Sequence, residues 1–137
     1  MLEAALVAPL LLLLTFGIVE FASIFYVYLA LENGVSQATR YGVTGNQMEH
    51  LTREDSIKAA MRQATPTLTL RDDAFTFSHL TPGGTVWLAG AGGPNDVEKL
   101  TIDYTWTIMT PLLWSFFQDG QIHFSVGSAM KNEGRFQ

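Results

Sequence analysis

The sequence contains no cysteine. Neither a disulfide framework nor a thiolate metal site can form, although this absence says nothing against an extracellular location. Basic residues are scarce: 8 Lys and Arg stand against 13 Asp and Glu, giving a net charge of −5 and a pI near 5.0. A protein that tracks a phosphate backbone presents a basic face, so the balance speaks against nucleic acid as a partner. No Lys or Arg precedes Arg40. The histidines His50, His79 and His123 are scattered, and none has a second His or an acid at metal-ligand spacing on a helix.

Catalytic patterns are missing as well. Ser36, Ser56, Ser78, Ser115, Ser125 and Ser128 lack a nucleophile-elbow context. Gly90-Ala91-Gly92-Gly93-Pro94 invites comparison with a phosphate cradle, but such a loop must open a helix, and a strand follows here; it reads as a surface loop. Asn95, Asp96 and Glu98 have the chemistry for calcium without the glycine-punctuated pattern of an EF-hand. No catalytic, cofactor or metal residue is assigned, and nothing favours an enzyme.

What the sequence does have is one long apolar run over residues 4–31, interrupted by Glu20. A spanning helix needs roughly 20 mostly apolar residues, whereas a signal-peptide core has only about 7–15 after a basic segment. The run therefore reads as a membrane segment within a continuous helix from Glu3 to about Val43, stopping at Gly42 or at Thr44-Gly45-Asn46. Pro9 predicts a kink or loosened turn between Ala5 and Pro9, and Gly17 and Gly34 read as tolerated weak points. Ala4, Ala5, Ala8, Gly17, Ala22, Ser23 and Ala30 permit close approach of neighbouring helices.

Glu20 has two readings. Inside hydrocarbon a carboxylate costs about 2.5–3.5 kcal/mol on insertion scales and is functional by default. Alternatively it marks the membrane boundary, with Tyr26 and Tyr28 as interfacial aromatics. Glu3 either complements the N-terminal end of the helix dipole or pairs with a neighbouring subunit's terminal amine.

Thr52-Arg53-Glu54-Asp55 resembles a capping box, and Ile57, Ala60, Met61 and Ala64 give an amphipathic second helix that Pro66 ends and that packs on a sheet. The period then changes to two. Strands are expected at Leu68 and Leu70, at Phe75 and Phe77, over residues 86–89, from Leu100 to Ile108, and from Ile122 to Met130. Residues 109–117 are apolar but too short to span a membrane; Trp114, Phe116 and Phe117 either form an exposed patch for a partner or lipid or cap the core. The class is α+β: a long hydrophobic helix, then a short helix packed on a small antiparallel sheet, with a helix over residues 1–44 and a head over 45–137.

The segment Glu3-Ala4-Ala5-Leu6-Val7-Ala8-Pro9-Leu10-Leu11-Leu12-Leu13, followed by Phe16-Gly17-Ile18-Val19-Glu20-Phe21 and continuing from Leu31 to Gly42, resembles the TadE family of pilin-like proteins. These are minor pilins, or pseudopilins, of tight-adherence pili in the type IV filament superfamily. Leu100-Thr101-Ile102-Asp103-Tyr104, Thr110-Pro111-Leu112-Leu113 and Lys131-Asn132-Glu133 resemble later parts of the family pattern. The resemblance implies a precursor with a basic leader, cut by a prepilin peptidase and held in the bacterial inner membrane until an assembly platform moves it into an extracellular filament. Glu3 corresponds by motif, not by count, to the glutamate that such processed chains carry at their fifth position. The partners implied are other pilin subunits and, before assembly, membrane lipid. The rival class is a membrane-tethered binding module that uses the Gly90-to-Pro94 loop or the aromatic patch.

Overall fold

In the computed structural model, which describes residues 2–135, the apolar run and the polar turns after it form one helix, α1 (Leu2–Val43). For residues 2–6 and Gln118 the backbone alone is described, so the side chains of Glu3, Ala4 and Ala5 lie outside the described residues. Pro9 lies inside α1, which is helical on both sides of it. It ends at Val43, where Thr44 Oγ1 donates to the Tyr41 carbonyl at 2.8 Å and the Gly45 N–H donates to the Gly42 carbonyl at 3.0 Å. Gly45 takes φ 71°, the left-handed conformation that glycine supplies at a helix end.

The capping pattern builds α2 (Arg53–Ala64). Thr52 Oγ1 accepts from the Asp55 N–H and donates to Asp55 Oδ2 at 2.6 Å. That hydroxyl, then Lys58, holds the Asp55 carboxyl below its ordinary range. Thr65 closes the far end, its N–H and hydroxyl both donating to the Met61 carbonyl.

The strands are β1 (Phe75–Leu80), β2 (Leu88–Ala89), β3 (Val97–Thr107) and β4 (Gln121–Lys131), in an antiparallel sheet of order β2-β1-β3-β4. The long β3–β4 ladder runs from Val97 opposite Lys131 to Thr107 opposite Gln121. Two expectations are corrected. Leu68 and Leu70 are buried as their alternation requires, but they sit in irregular chain after α2, where Arg62 Nε donates to the Leu70 carbonyl at 3.2 Å. Only Leu88 and Ala89 of residues 86–89 pair as a strand, and Val86, Trp87 and Leu88 remain exposed. Residues 109–117 become an exposed 3₁₀ turn, Pro111–Phe116.

A single core lies between the helices and one face of the sheet: Val27, Leu31, Val35 and Ala38 of α1 and Ile57 and Met61 of α2 pack with Phe75, Phe77, Leu100, Ile102 and Val126. Burial of an aliphatic side chain contributes about 1.5–3 kcal/mol. Strand β3 runs antiparallel to this half of α1, with Glu98 beside Gly42 and Trp106 beside Glu20. Gly34 is not merely tolerated. A Cβ there would lie 2.5 Å from Thr65 Cγ2 and 2.8 Å from Met61 Sδ, so glycine sets how closely α2 approaches. Around Gly17 a Cβ would meet nothing within 4 Å.

Gly34→Ala gains about 1 kcal/mol of helix propensity but incurs an overpacking cost of about 1–3 kcal/mol, so a lower Tm is expected. Gly17→Ala, with the same propensity gain and no clash, is expected to hold or raise Tm. Thermal unfolding of both variants in detergent checks this; equal shifts would refute the close-approach role of Gly34.

Candidate functional site

The surface that stands out is the free half of α1. Leu10, Leu11, Leu12, Leu14, Ile18 and Val19 are all exposed, and Val7–Val43 is long and apolar enough to cross a membrane by length and composition. Ala8 is exposed on this rod. Gly17 is half-buried and, nine residues on at about 100° each, faces the opposite side.

Glu20 ends the rod. It is 2% exposed, and its partners come from the end of β3 and the loop after it. The Met109 N–H donates to both carboxylate oxygens at 3.1 Å. The Thr110 N–H and hydroxyl each donate to Oε2 at 3.1 Å, and Trp106 Nε1 approaches Oε1 at 3.4 Å. Hydrogen bonds to a charged group contribute about 1.5–3 kcal/mol each. The carboxylate thus fixes the start of the 3₁₀ turn against α1. Tyr26 and Tyr28 lie beside the head: their hydroxyls pair with Thr67 Oγ1 at 2.8 Å and Glu32 Oε1 at 2.9 Å.

The turn that Glu20 holds is apolar and open. Leu112, Trp114, Phe116 and Phe117 are exposed, Phe116 at 75%. Leu113, Phe116 and Phe117 form an apolar groove with Leu13, Gly17 and Phe21 of α1. Trp114, Phe116 and Phe117 are thus exposed rather than a cap on the core, and they adjoin the apolar rod.

A buried polar cluster closes the other end of the head. Arg53 donates to the carbonyls of Ala91 (3.1 Å), Gly92 (2.6 Å) and Gly42 (3.0 Å), to Glu98 Oε2 (2.6 Å) and to Asn132 Oδ1 (3.2 Å). Asn132 Nδ2 donates to the carbonyls of Ala91 and Gly93. The Glu133 N–H reaches the Val43 carbonyl at 2.9 Å. This cluster joins α1, α2, β3, the glycine-rich loop and the end of β4. In the loop, the Ala91 N–H donates to Glu54 Oε1 and the Gly93 N–H to Asp96 Oδ2, so both are occupied by the chain's own carboxylates. No cluster of three or more His, Cys, Asp or Glu side chains that could hold a metal ion occurs among the described residues. The histidines stay apart: His79 Nδ1 pairs with the Gly90 carbonyl, His123 Nδ1 with Thr105 Oγ1, and His50 lies beside Glu49.

Sequence reasoning missed this cluster, although a signal was present. Glu98 is in phase with Leu100 and Ile102, so the alternation that buries them buries it too. Burial outweighs the nearby Arg53 and, with a smaller push from Glu54, raises the Glu98 carboxyl from 4.5 to about 7.

The family described as TadE-like protein matches residues 1–40. The match takes in the apolar rod, Glu20 and most of the part of α1 that enters the core, and over this segment the chain is similar to TadE-like proteins. No curated protein sequence and no solved structure matches the chain.

A raised carboxyl means that the folded state binds the proton more tightly than the unfolded chain does. This contribution to stability is therefore complete below pH 4.5 and is lost as pH rises to about 7. Thermal unfolding is expected to show a decline of up to about 3 kcal/mol across that window. Glu98→Gln is expected to flatten it; an unchanged pH profile in that variant would exclude Glu98 as its source.

Proposed function

We propose that this chain is a pilin-like structural subunit of a tight-adherence filament, held in the bacterial inner membrane by the free half of α1 and then transferred into a bundle of like helices. One observation carries the reading. The segment similar to TadE-like proteins is the same helix that exposes a largely apolar surface from Val7 to Val19. Lipid tails are as apolar as leucine, so helices leaving lipid associate through close packing rather than hydrophobic burial. Ala8, on the side of the rod opposite the turn, provides a place for such packing. The implied partners are other pilin subunits, with a prepilin peptidase and an inner-membrane assembly platform acting before filament growth.

The family resemblance fits a structural role rather than catalysis. The tethered-binder reading loses one of its two surfaces, because the N–H groups of Ala91 and Gly93 that a phosphate would need are already occupied.

Sheared surface material examined by immuno-electron microscopy is expected to carry this chain on or at the tips of filaments. Its confinement to detergent-soluble membrane under piliating conditions would sink the proposal. Ala8→Leu places bulk on an exposed face far from the head, so the subunit's Tm in detergent is expected to stay unchanged. Filament-associated protein is expected to fall roughly tenfold, the equivalent of about 1.4 kcal/mol lost at each helix contact. Wild-type assembly by this variant would remove Ala8 from the packed surface.

A further inference from the structure

We propose that the 3₁₀ turn Pro111–Phe116 and Phe117 after it form a lipid-inserting element that seats the head on the bilayer while the subunit awaits assembly. This rests on the membrane-anchored reading of α1 and adds to it a second point of lipid contact.

Depth is the first argument. Glu20 is the charged residue at which the exposed apolar rod meets the head, and a carboxylate is costly in hydrocarbon, so Glu20 marks the level where the hydrocarbon core ends. The turn does not stay above this level. Leu113, Phe116 and Phe117 line one apolar groove with Leu13, which lies seven residues before Glu20, or about 10 Å down the helix axis. An interfacial element buries its apolar face about 5–10 Å into the headgroup and acyl boundary.

The polar groups of the turn supply the second argument. A segment in lipid must satisfy its backbone internally. The N–H groups of Met109 and Thr110 go to Glu20, that of Leu113 to the Thr110 carbonyl and that of Phe117 to the Trp114 carbonyl; Pro111 has none. Even the indole N–H of Trp114 is turned inward, onto the Ile108 carbonyl at 2.8 Å. The exposed side chains are Leu112, Trp114, Phe116 and Phe117, the residue types of an interfacial belt, with Pro111 and the small polar Ser115 among them. No charged side chain occurs between Asp103 and Asp119. The occupant is therefore lipid: the patch continues the apolar surface of the membrane helix, and the N–H groups of Met109, Thr110, Leu113 and Phe117 are paired within the chain. Glu20 serves as the clasp that holds the turn at that depth.

Because the chain has no cysteine, one introduced thiol gives a uniquely labelled protein. Phe116→Cys and Leu112→Cys replace exposed residues, and Val86→Cys is an exposed control in the segment that follows the Val97-paired end of β1, at the Gly42 end of the head. Each full-length variant is nitroxide-labelled and reconstituted into phosphatidylcholine vesicles. Collision rates with oxygen, which concentrates in lipid, are compared with those of a water-soluble nickel chelate. The expected result is an inversion: oxygen dominates at 112 and 116, and nickel dominates at 86. Nickel dominance at all three sites in vesicles that float with the chain would overturn the lipid-inserting turn and leave the anchored helix standing. Failure of the chain to float would overturn both. Exclusion of both reagents with dipolar broadening between labels would assign the patch to a second copy and likewise overturn the proposal.

Discussion

The fold depends on how one carboxylate is satisfied. Helix α1 is asked to be an apolar rod at one end and the spine of a water-facing head at the other, and Glu20 sits where the two meet. A buried carboxylate with a single partner would be a liability, because the desolvation of its charge is only partly offset. Glu20 instead receives two backbone N–H groups and a hydroxyl from the short loop after β3, and an indole N–H from Trp106 near the end of β3. Those donors would otherwise have been the unpaired start of a 3₁₀ turn. The exchange settles both costs and ties a point on α1 to a loop 86–90 residues later in the chain.

From that clasp the buried side of α1 continues through Val27, Leu31, Val35 and Ala38 to Gly42, where Arg53, Glu98 and Asn132 close the structure. The two ends use opposite chemistry. At Glu20 an anion is met by neutral donors of a loop. At Arg53 a cation collects carbonyls of the glycine-rich loop and of α1 together with one buried carboxylate. Removing one partner of a buried pair leaves an uncompensated charge, typically a loss of 3–5 kcal/mol, whereas replacing the whole set with apolar residues can be neutral. The cluster thus contributes less to net stability than to geometry: it positions the end of α1 relative to the last strand, so that rod and head are held together over the length of the sheet.

The long helix, the capped second helix and the two strands with strict alternation were legible because each is specified by local period or by a local cap, as in Thr52 and Asp55 or Leu100, Ile102 and Tyr104. What was illegible is non-local. Leu68 and Leu70 alternate like a strand and are buried like one, but Arg62 occupies the Leu70 carbonyl, and no strand pairs there. Gly34 looked like a flaw in a helix because its purpose is a neighbour, α2, that packing rather than pattern places there. Glu20 was visible as an anomaly from the first reading, yet neither reading of it included the loop after β3, since no period links residue 20 to residue 109. The side chains of Glu3, Ala4 and Ala5 lie outside the described residues, so what those positions do in assembly rests on the resemblance and the proposal built on it.

The clasp also limits how such rods can pack. Glu20 binds the turn of its own chain, so the aromatic turn travels with its own helix and flanks the side that carries Gly17, Phe21 and Leu13. Ala8 lies about half a turn away from Gly17, on the side the turn does not reach. In the proposed filament, a bundle of these helices would have two unlike contacts to make: a bare helix face, where small residues let backbones approach, and a face widened by a hydrophobic turn that would meet a neighbour's apolar surface. Two unlike faces on one rod favour heterologous, head-to-tail contacts over a symmetric dimer, and contacts of that kind extend into a helical array when the rotation does not close. The same carboxylate that lets the head sit against lipid would in this way bias the rod toward a filament once lipid is left behind.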